Sequence, residues 1–205
     1  EDQLEVVLGA GWNQQEHERH RVPFLTLKER MDRLEAGIET IRESWALSAT
    51  RPVQDPMWLL MGGTGEKRAL KIVAREAGEW NLSRLDAAMF EQKSSVVDAY
   101  CREAGRDPAQ IRRSIMTTFI IGRDRAELRR RAEGLGRVLP RFAGLSPDEI
   151  LERAAPGALV GTPAEIAGQV EEFAKLGVDL FMLQHFLLDD RDALRLLAEE
   201  VMPAV

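Results

Sequence analysis

Residues 57–68 read Met57-Trp58-Leu59-Leu60-Met61-Gly62-Gly63-Thr64-Gly65-Glu66-Lys67-Arg68, an apolar run that passes directly into a glycine-rich turn. A continuous apolar run is the composition of a strand buried on both faces, the condition of a parallel strand covered by helices. Thr64 is expected to cap the helix that follows, whose Leu70, Val73, Ala74 and Ala77 share one face, so that Lys67 and Arg68 fall in its first turn. Glu79–Leu82 then reads as a second short strand. The order is strand, loop, helix, strand.

The same alternation extends in both directions. Upstream, Leu4–Leu8 runs as a strand into Gly9-Ala10-Gly11, and an amphipathic helix follows from Leu27 to Trp45, with Pro23 and Thr26 suited to its entry. The turn-rich Ala49–Pro56 segment leads to the decisive strand. Downstream, a helix is expected over Asp86–Ala104, a strand over Ser114–Gly122 and a basic helix over Asp124–Val138. Ser146-Pro147-Asp148-Glu149 and Thr162-Pro163-Ala164-Glu165 are helix-start signals, with a capping hydroxyl, a proline at the first helical position and early acids. Val178–Gln184 reads as the last strand and Asp190–Val201 as the last helix. Strands alternating with helices imply a parallel α/β fold, either open and doubly wound or closed as a barrel. One domain over residues 1–205 is expected, since no linker or fixed-period repeat divides the chain.

Composition narrows the function. The 205 residues are 44% hydrophobic and 30% charged, the balance of a core-forming chain. With 28 Lys and Arg against 34 Asp and Glu, the net charge of −6 disfavours nonspecific contact with nucleic acid or anionic lipid. No apolar stretch is long enough to span a membrane, and a reducing, cytoplasmic home is expected. Cys101 reads as a small buried helix residue, and three histidines with one cysteine make no metal site. His17 and His20 lack the spacing of a zinc-protease pair. The basic Arg123–Arg137 stretch is interrupted by Asp124, Glu127 and Glu133, as on a solvated helix face.

In a parallel barrel the chemistry gathers at the C-terminal ends of the strands. That rule selects Gly9–Asn13, Gly62–Lys67, Asn81, Gly122, Gly161-Thr162 and Gln184-His185. Gly62, Gly63, Thr64 and Gly65 are either a phosphate cradle of backbone N–H groups or a tight strand-to-helix turn, and their spacing is not that of a Walker loop. Lys67 and Arg68 either assist a phosphate or face solvent. His185 is a candidate acid or base against a packing role, and Glu16 a candidate against a solvated loop carboxylate.

Read in order, Leu8-Gly9-Ala10-Gly11-Trp12-Asn13, Glu16, Pro23-Phe24, Leu27-Lys28-Glu29-Arg30 and Gly62–Arg68 resemble the luciferase-like monooxygenase superfamily. Ala77-Gly78-Glu79-Trp80-Asn81, Gly105–Pro108, Val160–Glu165, Gly177-Val178-Asp179 and Val201-Met202-Pro203 are similar to it in the same order. The resemblance implies a TIM barrel, of which five β–α units, strands four to eight, are counted in this chain. A whole barrel of about 250 residues would hold about 95 more at the front. A piece of a longer protein is therefore expected, with a truncated relative that closes by dimerisation as the alternative; the connection at Ser48–Arg51 also looks short for the family.

The resemblance further implies a flavin-type oxidoreductase or monooxygenase acting on a small organic substrate. The deazaflavin coenzyme F420 is favoured over FMN. Gly62, Gly63, Thr64 and Gly65 would take the cofactor's phosphate end, Trp12 and Asn13 would border its ring, and a homodimer is expected, with Leu27–Trp45 a candidate interface. Two other readings stand beside it: a noncatalytic flavin-binding or scaffolding relative, and a different barrel enzyme with a phosphorylated substrate.

Overall fold

A computed structural model describes residues 6–48, 58–83 and 85–205. Leu4, Met57 and the Ala49–Pro56 segment, on which parts of the sequence reading fall, lie outside the described residues. The chain divides into two units, residues 1–81 with 93–112 and residues 82–92 with 113–205.

In the first unit the parallel strands β1 (Val6–Leu8), β2 (Leu59–Gly62) and β3 (Glu79–Leu82) bring their C-terminal ends level, with Leu8 opposite Met61 and Gly62 opposite Asn81. Leu59, Leu60, Met61 and Trp80 are buried, as the continuous apolar run predicts. A short helix, α1 (Gln14–Arg19), follows β1, and α2 (Leu27–Leu47) begins at a capping box in which Thr26 and Glu29 satisfy each other's backbone N–H groups.

The helix α3 (Ala69–Glu76) buries Leu70, Val73 and Ala74, but it begins beyond Thr64. Thr64 is therefore not its cap, and Lys67 and Arg68 lie in a turn ahead of it rather than in its first turn. Two features accompany the late start. Gly63 adopts φ 131°, outside the helical region. Arg68 is drawn onto α2 by Asp32, at 2.6 Å, and by Glu35.

At the opposite end of β3, Glu79 is fully buried and accepts a 2.6 Å hydrogen bond from Arg112 Nε. The Arg112 guanidinium also lies 5.2 Å from the Trp58 ring centroid. Gly78 is required here, because a Cβ would stand 2.6 Å from Trp58 Cδ2. The helix α4 (Ala87–Glu103) contributes buried Val97 and Cys101, with Cys101 Sγ 3.9 Å from the Ala74 carbonyl.

In the second unit β4 (Arg112–Ile121) pairs in parallel with two strands. Ser114–Thr118 run beside β6 (Leu180–Gln184), and Phe119–Ile121 beside β5 (Leu159–Gly161). The strand β5 adds to the five expected from sequence. It has only three residues, too few to display a period, and the Gln169 amide completes its hydrogen bonding by accepting from Val160 N at 3.3 Å and donating to Val160 O at 3.0 Å. The helices α5 (Arg125–Val138), α6 (Pro147–Ala154) and α7 (Pro163–Lys175) start at Asp124, Ser146 and Thr162, the last two through full capping boxes. The final helix, α8 (Arg191–Leu196), changes to a π-helical turn at Leu197–Val201. Ile120, Leu128, Leu135, Phe142 and Ile150 form the centre of this unit's core.

Candidate functional site

The turn after β2 is an exposed piece of backbone held in a defined course. Gly62, Gly63, Thr64 and Gly65 are all exposed. The buried Trp80 indole, on the neighbouring strand, donates to the Gly63 carbonyl at 2.9 Å. A Cβ on Gly63 would lie 3.4 Å from the Ala69 side chain, besides requiring a backbone that L residues rarely adopt. Further along, the Lys93 ammonium reaches Glu66 at 2.7 Å and pins the turn. Such a glycine-lined cradle ahead of a helix suits an anionic oxygen cluster. Arg68 is committed to Asp32 and Glu35, which hold its pKa above the ordinary arginine value; Lys67 is exposed.

The loop after β1 is organised by three side chains. His17 Nδ1 donates to the Asn13 carbonyl at 2.9 Å, and its ring meets Phe24 edge-on at 5.0 Å. Arg30 stacks over Phe24 at 4.1 Å and donates to the carbonyls of Leu25 and Gly11. Asn13 caps α1 by accepting from the Glu16 N–H at 3.3 Å. Trp12, freed by this arrangement, is 85% exposed, and Glu16 faces solvent. A cleft of about 260 Å³ lies between Gly9, His17, Val22 and the Arg30–Leu34 face of α2.

In the second unit His185 follows β6. Its ring stacks on Phe119 with centroids 5.2 Å apart, and Nε2 lies 3.1 Å from the Asp190 carbonyl. A carbonyl only accepts, so Nε2 carries a proton and donates it to this contact. The loop is anchored by Arg131, which is 3% exposed. Its Nε donates to Asp190 at 2.7 Å, Nη1 to the Ile121 carbonyl at 2.9 Å and Nη2 to Asp192 at 2.9 Å. Burial pushes the Arg131 pKa down, but Asp190, Glu127 and Asp192 outweigh it and keep the guanidinium charged. Arg123 pairs with Asp192 at 2.8 Å, and its hydrogen bond holds that carboxyl well below the usual range.

The basic stretch is thus more than a solvated face. Arg131 shares the inward face of α5 with Leu128, Ala132 and Leu135, all buried. Its three- and four-residue spacing from Leu128 and Leu135 was the sequence signal for an inward arginine. The Trp80 bond to Gly63 has no such signal, since it depends on the register of β2 and β3. Of the predicted residues, the first unit gathers Gly62–Gly65, Asn81 and the Trp12–Asn13 loop at one end of its strands, while His185 belongs to the second unit. Among the described residues no group of three or more His, Cys, Asp or Glu side chains could hold a metal, and no helix is long and apolar enough to cross a membrane.

Parallel strands, each followed by a helix and bearing polar loops at their C-terminal ends, define a parallel α/β protein. The chain belongs to the luciferase-like monooxygenase family, whose profile matches residues 3–180. Its structure is similar to that of a monooxygenase from Streptomyces bottropensis, with a TM-score of 0.76 at 19% identity over 97% of this chain and 68% of that one. An F420-dependent secondary alcohol dehydrogenase, solved with an F420–acetone adduct, aligns at TM-score 0.74 and 18% identity over 98% of this chain and 69% of that one. The FMN-bound oxygenating constituent of 3,6-diketocamphane monooxygenase from Pseudomonas putida aligns at 0.68 and 16% over 97% and 70%. At these identities the likeness establishes the fold, the luciferase-like TIM-barrel type with part of the barrel represented in this chain. Functionally curated proteins give no match.

Proposed function

We propose that this chain acts as a flavin-type oxidoreductase on a small organic molecule, binding coenzyme F420, with FMN the alternative. Family membership supports the class, and the exposed Gly62–Gly65 cradle is the observation that carries the cofactor assignment. The bound cofactor would supply hydride transfer or oxygen activation. In this reading the backbone of Gly62, Gly63, Thr64 and Gly65 takes the phosphate end, with Trp80 holding the Gly63 peptide in place. Trp12 offers an exposed aromatic face for the ring or substrate, while Asn13 sets the course of its loop.

His185, whose Nε2 is engaged by the Asp190 carbonyl, is the acid–base candidate of the second unit, and Glu16 that of the first. The same reading makes the protein a cytoplasmic homodimer with residues 1–205 acting as one domain. Titration with F420 and with FMN, followed by cofactor fluorescence, tests it. Saturable binding of one of them is expected, weakened in Gly63→Val while the circular dichroism of the fold is retained. Equal affinity of Gly63→Val and the parent would refute the cradle, and binding of neither cofactor would refute the function.

A further inference from the structure

We infer that the second unit carries an anion-binding site, built around Arg141 and Arg153, for the carboxylate or phosphate group of a small molecule. A cavity of about 250 Å³ lies there, with Met116, Ile120 and Phe142 among its apolar lining. Its polar side chains are those of Ser83, Thr117, Thr118, Gln184 and the two arginines, with the Thr117 hydroxyl donating to the Gly157 carbonyl. Gln184 is the last residue of β6, Thr118 is its register partner on β4, and Gly157 and Ala158 lead into β5, so the cavity lies beside the C-terminal end of β6 and the start of β5.

Arg141 and Arg153 are set apart by bordering the cavity, since Arg130 is likewise without an ion pair among the described residues. Arg123, Arg125, Arg129, Arg131 and Arg137 are each ion-paired. Among the described residues neither Arg141 nor Arg153 has a carboxylate partner, and Asp148 and Glu149, two of the three acids of α6, are engaged elsewhere. Asp148 is held by Arg125 and Arg129, and Glu149 is locked in the capping box of Ser146. Arg141 is steadied by stacking 4.9 Å from the Phe142 centroid.

Two guanidiniums with unspent donors, bordering a concave surface with hydroxyl and amide groups, match the planar bidentate geometry of a carboxylate or phosphate. The apolar lining suits a small organic body attached to that group. The volume is below the usual range for a drug-sized ligand, which fits a small acid or phosphate ester rather than a large one. The oxidoreductase reading bears only on whether the anion belongs to substrate or cofactor, not on whether it binds.

Isothermal titration of the full chain with inorganic phosphate and with succinate, at constant ionic strength set by chloride, tests the site. Saturable binding is expected, with succinate affinity weakened about tenfold in Arg153→Met and in Arg141→Met and lost in the double variant, while phosphate keeps only the binding owed to the Gly62–Gly65 cradle. Arg153→Lys keeps the charge without the fork and should retain part of the affinity. Both arginines are exposed, so the variants should keep the parent circular dichroism. No saturable binding, or binding unchanged in the double variant, would overturn the inference. Repeating the titration with F420 or FMN present separates the sources: competition assigns the anion to the cofactor, independence to the substrate. Failure to bind either cofactor would refute the oxidoreductase reading and leave the phosphate result standing.

Discussion

Replacing Arg131 with methionine should be among the most damaging single changes to the second unit. The side chain is 3% exposed, and its donors serve Asp190, the Ile121 carbonyl, Glu127 and Asp192. Methionine approximates the length of the aliphatic stem but leaves Asp190, 21% exposed, without its principal cation, and the Ile121 carbonyl without this donor. Removing one partner of a buried ion pair costs about 3–5 kcal/mol, and partial exposure of Asp190 places this case near the lower end, about 3 kcal/mol. Asp192 adds little, because it is 44% exposed and keeps Arg123.

For a chain of this length that loss lowers the melting temperature by about 6–12 °C. The carboxyl pKa values of Asp190, Asp192 and Glu127 are all lowered in the folded state: Asp190 by Arg131 against the opposing effect of burial, Asp192 mainly by Arg123, and Glu127 mainly by the Arg123 backbone N–H. Groups with depressed folded pKa values stabilise fully above their unfolded values, about 3.9–4.3, and lose that contribution as pH falls through the folded ones. The gap between parent and Arg131→Met, measured by thermal and urea denaturation, should therefore be constant from pH 7 to about 5 and close in stronger acid. A melting temperature within about 2 °C of the parent at pH 7 would refute the network as a stabilising element.

Other substitutions probe separate features. Gly78→Ala would place a Cβ 2.6 Å from the Trp58 ring, and urea unfolding should register a loss of about 1–3 kcal/mol. Thr162→Ala removes the α7 cap and should cost about 1 kcal/mol. Backbone and hydroxyl donors of Thr162 lower the Glu165 pKa, so the melting difference should narrow as pH falls below about 4. Trp80→Phe removes the donor that holds the Gly63 carbonyl, and cofactor affinity measured by fluorescence should fall about fivefold, corresponding to about 1 kcal/mol. Unchanged affinity would separate that hydrogen bond from the cradle's function.

The placement of Gly62–Gly65 and Trp12 in the loops after β2 and β1 was legible from one rule, that in parallel barrels the chemistry gathers at the C-terminal ends of the strands; the exposure of Trp12 was not. Their use was less legible. Asn13 is a helix cap, Arg68 is spent on α2, and His185 stacks on Phe119. The Asn13 cap is local, but the fates of Arg68 and His185 depend on partners far along the sequence.

Local chemistry decided the helix starts at Thr26, Ser146 and Thr162, because a capping box needs only a hydroxyl and a glutamate three residues apart. It also decided the burial of β2, since five consecutive apolar side chains leave no face for water. The delayed start of α3, the three-residue β5, the partners of Arg131 and the Trp80 bond to Gly63 required the folded chain. Their partners lie far along the sequence: Arg68 and Asp32 are 36 residues apart, Arg131 and Asp190 59, and Trp80 and Gly63 17. Propensity acts over a few neighbouring residues, whereas these hydrogen bonds and ion pairs exist only once packing has brought distant segments into contact.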